Sequence, residues 1–477
     1  MKESTVKTEQ DYTYIKSNHQ RSSLSTQLQN IPALVWLILV IFGLSFLGLF
    51  GLILSWVLIA LWVLRGTDEA IEGLLMSLLL SAMNPELTSS VELASFARWL
   101  ILFEATARVT YEWIRRKPKS PPWLKYLLVF VLYVSLVSFF VSWWPMVSFL
   151  KLATFTTVVL TTYFGIKLGH KDWIRNLIAL GATISLLSLP LIFYSIGYVR
   201  NGYQFQGILN HPQSYGVIIG MTMAAAIGCF LMDKDIKLSL YHFVILASMG
   251  VTMILSVSRT GYFALILAVL VPLFLWKDLT RMFARLIFNP FTYFAIAILV
   301  VVVWIAPPIE VFQKYFFERD VNVYTVYELP IDAENSVLNQ LIASRSKFAA
   351  QSWQNFLRSP VIGVGFGLPS IRIPREVVST IAGLPVGLPY QKGFIGTAVL
   401  EEVGVVGVGL LLLLIISQLQ QIFSARAVVP LMLYLVVLFI NFGEFSYFST
   451  GGIGLLEHIL IATALVTSER LKTQIIG

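Results

Sequence analysis

Charge is the first thing this chain lacks. Asp, Glu, Lys and Arg make up 13% of its 477 residues, against about 25% in soluble domains. Hydrophobic residues make up 57%, and the mean hydropathy is +0.77. That balance excludes an ordinary soluble enzyme and predicts a polytopic membrane protein in a lipid bilayer. Cysteine is nearly absent as well. The lone Cys229 rules out an internal disulfide or a CxxC metal site and reads as a small buried hydrophobe. The five histidines, His19, His170, His211, His242 and His458, include no HxxH pair, so no metal site is expected. There is no P-loop and no GxSxG elbow. The net charge of +8 sits in short loops beside apolar runs, where it sets orientation instead of pointing to nucleic acid. Neither an internal repeat nor a low-complexity tract is visible, so a transporter built on inverted repeats gains no support.

What is present is a succession of apolar runs. Window reading places spans at 70–84, 92–113, 123–141, 147–167, 175–196, 213–232, 241–257, 260–276, 291–306, 394–417, 428–443 and 453–468. The run 31–65 is too long for one helix and splits near Gly48 and Gly51 into a tight hairpin. The expectation is an all-α bundle of about 12–14 transmembrane helices. Residues 1–30 form a cytoplasmic tail, 31–306 a transmembrane bundle and 307–393 one large periplasmic loop with amphipathic helices. Residues 394–468 form the C-terminal transmembrane helices and 469–477 a second cytoplasmic tail. The loop clusters Arg115–Lys119, Lys167–Arg175, Lys234–Lys237 and Lys277–Arg285 all fall on one side with Arg470 and Lys472. That puts both termini in the cytoplasm and the long loop outside.

The charges on the outer side are the functional candidates. Leu338, Leu341, Ile342, Phe348, Ala349, Trp353 and Phe356 share one helical stripe with Arg345 near its centre. A guanidinium there is expensive unless an anion meets it, and its fork suits phosphate oxygens. The alternative is an arginine that snorkels to headgroups or pairs with an acid of its own loop. Arg259, in a tight turn between spans, reads as an interfacial anchor or as a second anion contact. Arg98 and Lys151 lie inside spans near their outer ends, where cations are functional suspects. Neither Glu92 nor Glu104 has the spacing to pair with Arg98, so a structural partner comes from another helix. Glu401 and Glu402 read as a buried acid/base pair, or one of them as counter-ion to an arginine, and Glu444 ends the next span near Asn441. Gly363-Val-Gly365-Phe-Gly367 lacks the context of a dinucleotide loop and reads as a tight turn that lets backbone come close to a surface or ligand.

Six motifs then occur in a familiar order. They are Gly207-Ile-Leu-Asn210-His211-Pro212, Leu255-Ser-Val-Ser258-Arg259-Thr260-Gly261, Ser344-Arg345 with Trp353, Ser359-Pro360 through Gly367, Glu402-Val-Gly404-Val-Val-Gly407, and Asn441-Phe-Gly-Glu444. With them the chain resembles the O-antigen ligase/polymerase superfamily over approximately residues 200–450. These are bacterial inner-membrane glycosyltransferases that use undecaprenyl-diphosphate-linked glycans. The resemblance implies a GT-C-like bundle and a metal-independent, inverting transfer onto an acceptor glycan or glycolipid. No cofactor is implied beyond the lipid-linked donor. Arg259 and Arg345 match the arginines that hold the leaving diphosphate, with Arg98, Lys151 and Lys392 lining the approach. One departure stands out. Where ligases of this family carry a histidine before the glutamate motif, this chain reads Tyr390-Gln391-Lys392-Gly393-Phe394. Either Glu401, Glu402, Glu444 or His211 then serves as base, or acceptor activation is weak, or the chain is not a ligase; a polymerase-like or exopolysaccharide role is favoured over a ligase. The rival readings are a small-anion, bicarbonate-like transporter and a non-catalytic envelope scaffold.

Overall fold

In hydrocarbon every backbone N–H and C=O needs an internal partner, so long apolar runs fold as helices. The computed structural model follows that rule; it describes residues 31–88, 93–199, 204–232, 240–276, 297, 349–371, 380–381, 384–385, 392 and 394–476. The chain is all-α. Its helices are α1 (Ala33–Ser45), α2 (Gly48–Val63), α3 (Thr67–Ser81), α4 (Leu93–Arg116), α5 (Leu124–Val141), α6 (Pro145–Leu168) and α7 (Trp173–Ser188). They continue with α8 (Pro212–Met232), α9 (Leu240–Ser256), α10 (Arg259–Leu275), a helical stretch over 349–358 (α11), α12 (Ile395–Ser424), α13 (Val428–Gly443) and α14 (Ile453–Ile476). A two-residue antiparallel ribbon, Thr380–Ile381 with Leu384–Pro385, is the only sheet among the described residues. Among those residues, five helices are long and apolar enough to cross a membrane: α5, α6, α7 with its 3-10 extension to Phe193, α8 and α12.

The expected hairpin in 31–65 is α1 and α2, turned at Gly48, whose φ is +61°. The run expected at 70–84 is α3, a 15-residue helix buried along nearly its whole length. It packs on α2, α4 and α6 and opens with Asp68, Glu69 and Glu72. Acids suit a helix N-terminus, and these have partners. Asp68 accepts the backbone N–H groups of His170 and Lys171 and the Trp173 indole N–H. The Glu72 carboxylate, fully buried, takes the Lys171 ammonium at 2.8 Å and the Trp62 indole at 3.0 Å. Desolvation works against the Lys171 charge, but Glu72 and Glu69 hold its pKa above the usual lysine value of 10.5.

These contacts define one end of the bundle. Arg116 donates to the Leu168 carbonyl, Lys167 pairs with Glu469 at 2.7 Å, and Arg470 donates to the Ile166 and Gly169 carbonyls. The loops at 115–119 and 167–175 therefore share one end with Arg470, whereas the clusters at 234–237 and 277–285 lie outside the described residues. At the opposite end, loops meet loops. Asn84 donates to the Ile196 and Gly207 carbonyls, Arg98 to the Gly451 carbonyl, and Lys151 to the Gly367 carbonyl. Two helices organise this loop end: α8 packs against α7, α9, α10 and α13, and α14 against α6, α12 and α13.

Candidate functional site

Two polar clusters occupy the loop end. The first gathers the starts of α8 and α10 and the end of α13. His211 caps α8: its Nδ1 accepts the Gln213 N–H at 3.2 Å, its carbonyl accepts the Tyr215 N–H at 3.0 Å, and Pro212 fills the first helical position. Desolvation pulls the His211 pKa below the histidine value of 6.5, so the ring is neutral at pH 7. With Nδ1 engaged as an acceptor, its proton is on Nε2. The start of α10 lies alongside, because Gly216 and Gly261 let the two backbones touch. A Cβ on Gly261 would sit 2.6 Å from the Gly216 carbonyl oxygen. Ser258 donates to the Gln213 carbonyl at 3.3 Å, and Arg259 is the first residue of α10. Two helix N-termini thus direct partial positive charge to one region, where Arg259 adds a full one. Just before Arg259, Val257 holds φ at +54°, a conformation that costs a β-branched residue about 1–3 kcal/mol. The Val257 N–H donates to the Ile254 carbonyl, and Tyr262 reaches back to the Met253 carbonyl at 2.6 Å, so surrounding bonds enforce the turn. From α13, Glu444 accepts the Gln213 side-chain amide, and Gly443 lies against Thr260.

The second cluster surrounds a break in α12. Gly404 has φ +63° and ψ −173°, and its helix is interrupted there. The loop 359–367 supplies the missing bonds. Val364 and Gly365 N–H donate to the Glu401 and Glu402 carbonyls, and Val405 and Val406 N–H donate to the Pro360 and Val361 carbonyls. Only glycine permits so close an approach. A Cβ on Gly404 would lie 2.2 Å from the Val361 oxygen, and one on Gly363, at φ +76°, 2.5 Å from the Glu402 carbonyl carbon. The glycine motif is therefore a turn pressed against helix backbone, as its composition suggested.

Beneath that loop Glu401 and Glu402 are both buried, and Lys392 bridges them at 2.9 and 3.0 Å. Glu401 also accepts from Asn355 at 2.6 Å and Ser370 at 2.8 Å; Glu402 accepts the Gly367 N–H at 2.8 Å. Lys151 donates to the Gly367 carbonyl at 2.6 Å. The two acids are counter-ions, but to a lysine, whereas sequence reading had looked to an arginine.

Arg345 lies outside the described residues. The described end of its stripe is arranged differently from expectation. In 349–358 the inward face is Ser352, Asn355 and Phe356, while Trp353 stays 44% exposed. Asn355 turns inward because a buried Glu401 needs its amide. Arg98 finds its partner off its own helix, at the Gly451 carbonyl, 2.8 Å away.

Sequence reading missed Gln213, Asn355, Ser370 and Glu457. The first three are ordinary polar residues whose importance lies in partners distant in sequence. Glu457 carried a usable signal, as an acid inside an apolar run. Among the described residues no three His, Cys, Asp or Glu side chains form a metal-binding group.

No curated protein matches the chain. Residues 243–385, which begin in α9 and run through α10, α11 and the glycine loop to the ribbon, match the family model described as O-antigen ligase. That match supports the O-antigen ligase/polymerase superfamily for this chain, and with it a glycosyltransferase-like role of that type in surface polysaccharide assembly.

Proposed function

We propose that the chain moves a glycan from a membrane-lipid diphosphate onto an acceptor glycan hydroxyl at the loop end, the end facing away from the cytoplasm. The observation that carries this reading is the first cluster. Arg259, which lies inside the family match, starts α10 beside the N-terminus of α8, whose Gln213 donates to the Glu444 carboxylate. Arg259 holds the departing diphosphate, whose developing charge it stabilises more than the ground state's. Arg345 is the second diphosphate ligand, and Arg98 and Lys151 tie the surrounding loops. Glu444 takes the proton of the acceptor hydroxyl as its oxygen bonds to the anomeric carbon. The old glycosidic bond breaks with its electron pair going to the diphosphate, which inverts the centre. His211 suits this step less well, because its Nδ1 is committed to capping α8. Glu401 and Glu402 serve Lys392, and Lys392 serves them, so all three hold the scaffold instead of touching substrate. No metal or organic cofactor enters these steps.

The test is surface polysaccharide in a host strain deleted for the native gene. Arg259→Ala is expected to lower polymer or glycolipid product about 100-fold, the usual scale for losing one charge-stabilising group. Wild-type product from a well-expressed R259A protein contradicts the clamp. A ladder of lengths made from donor alone marks a polymerase; a single transfer onto a separate glycolipid marks a ligase.

A further inference from the structure

Glu457 is a fully buried carboxyl group on helix α14. Its Oε2 accepts the Asn441 amide at 2.9 Å, and its Oε1 meets Ser446 Oγ. Among the described residues no lysine or arginine forms an ion pair with it. The other titratable groups nearby are Glu444 and Tyr447 on the adjoining turn and His458 on α14. The His458 Nε2 is engaged by the Tyr447 carbonyl at 2.9 Å and so carries hydrogen. Asn441 accepts the Ser446 and Tyr447 N–H groups at 3.0 and 2.8 Å. The turn that begins at Glu444 is thus fastened to Glu457 through Asn441 and Ser446.

Ser446 has one hydroxyl hydrogen and two oxygen neighbours, Glu457 Oε1 and the Glu444 carbonyl at 3.2 Å. An ionised Glu457 leaves one of those contacts without a hydrogen and buries a charge that no lysine or arginine among the described residues pairs. A protonated Glu457 supplies the missing hydrogen: its O–H donates to Ser446 Oγ, and Ser446 donates to the Glu444 carbonyl. We infer that Glu457 is held as a neutral carboxylic acid and is a positioning residue that fixes the turn presenting Glu444 to the α8 and α10 N-termini. The positioning half rests on the transfer reading above; the protonation half does not.

The experiment compares the full-length protein with Glu457→Gln and Glu457→Ala in lipid vesicles at neutral pH. The wild-type-minus-E457Q infrared difference spectrum is expected to show the carbonyl stretch of a protonated carboxylic acid. A carboxylate band in its place overturns the inference. E457A is expected to lower kcat roughly tenfold with donor KM unchanged, the loss anticipated for unsatisfied buried partners. E457Q, whose amide can donate to Ser446 and accept from Asn441, restores most of that loss. E457Q as impaired as E457A contradicts a neutral brace. If E457A does not assemble, Ser446→Ala removes the same contact from the other side and carries the same kcat expectation. The infrared measurement needs no glycan donor, so its failure is distinct from failure of the transfer reading.

Discussion

Individual side chains at the loop end divide into groups that face the proposed substrate and groups that hold them. His211 and Glu444 show the division. Both were base candidates from sequence, because a histidine and a glutamate at the outer ends of spans look alike on paper. In the folded chain the His211 ring caps a helix, while Glu444 accepts a side-chain amide beside Arg259's helix. His211→Asn keeps a capping side chain. It is expected to retain transfer within a few-fold, whereas His211→Ala costs about 1 kcal/mol of stability. Glu444→Gln is expected to lower kcat roughly 100-fold without unfolding the protein. Thermal melts in detergent and transfer rates from the same preparations separate the two. An H211N protein as inactive as E444Q would return the base to His211.

At the level of elements, the informative feature is the break in α12 and the loop that fills it. Window reading sees 394–417 as one apolar span, and an apolar window contains nothing that reports an interruption. The glycines signalled a tight turn and a close backbone approach, but their partners across the break are about 40 residues away in sequence, beyond the reach of any local pattern. The same limit hid the surroundings of α3: length and hydropathy place the helix, and only the fold shows it enclosed by α2, α4 and α6. The lysine bridge is the energetic counterpart of the break. Lys392 bridges two buried carboxylates at 2.9 and 3.0 Å, so Lys392→Met removes their shared counter-charge and is expected to cost roughly 3–5 kcal/mol. Adding Glu401→Gln and Glu402→Gln removes the stranded charges, and the triple variant should recover much of the loss. Melting of the purified proteins checks it. A K392M protein with unchanged stability would show that the bridge contributes nothing.

Across the whole molecule, the succession of apolar helices was legible in the sequence, as was the grouping of the 115–119 and 167–175 loops with Arg470, because hydropathy and the lysine and arginine bias act over long windows. Helix boundaries at α8, α10 and α13 fall within a residue or two of the expected ones. What stayed hidden was which loop-end charges converge, since that depends on tertiary approach at Gly216 and Gly261. The two-ended organisation predicts sidedness. In a Cys229→Ser background, Gly451→Cys should react with a membrane-impermeant maleimide in cells whose outer membrane is permeabilised, and Lys472→Cys only after lysis. The reverse pattern would invert the bundle and move the proposed site to the cytoplasm. The buried hydroxyls of α7, α8 and α9, including Thr183, Thr222, Ser248 and Thr252, mostly donate to carbonyls three or four residues back on their own helices. Among the described residues their bonding is thus accounted for mainly by the helices that carry them.

The most direct test is single-turnover transfer in proteoliposomes containing an undecaprenyl-diphosphate oligosaccharide with a labelled sugar, scored by movement of label from lipid to acceptor glycan. The wild-type protein is expected to move the label without added metal, and R259A and E444Q each to slow that step about 100-fold. Transfer at the wild-type rate by both variants, or no transfer by a well-folded wild-type protein across a panel of such donors, would contradict the assignment.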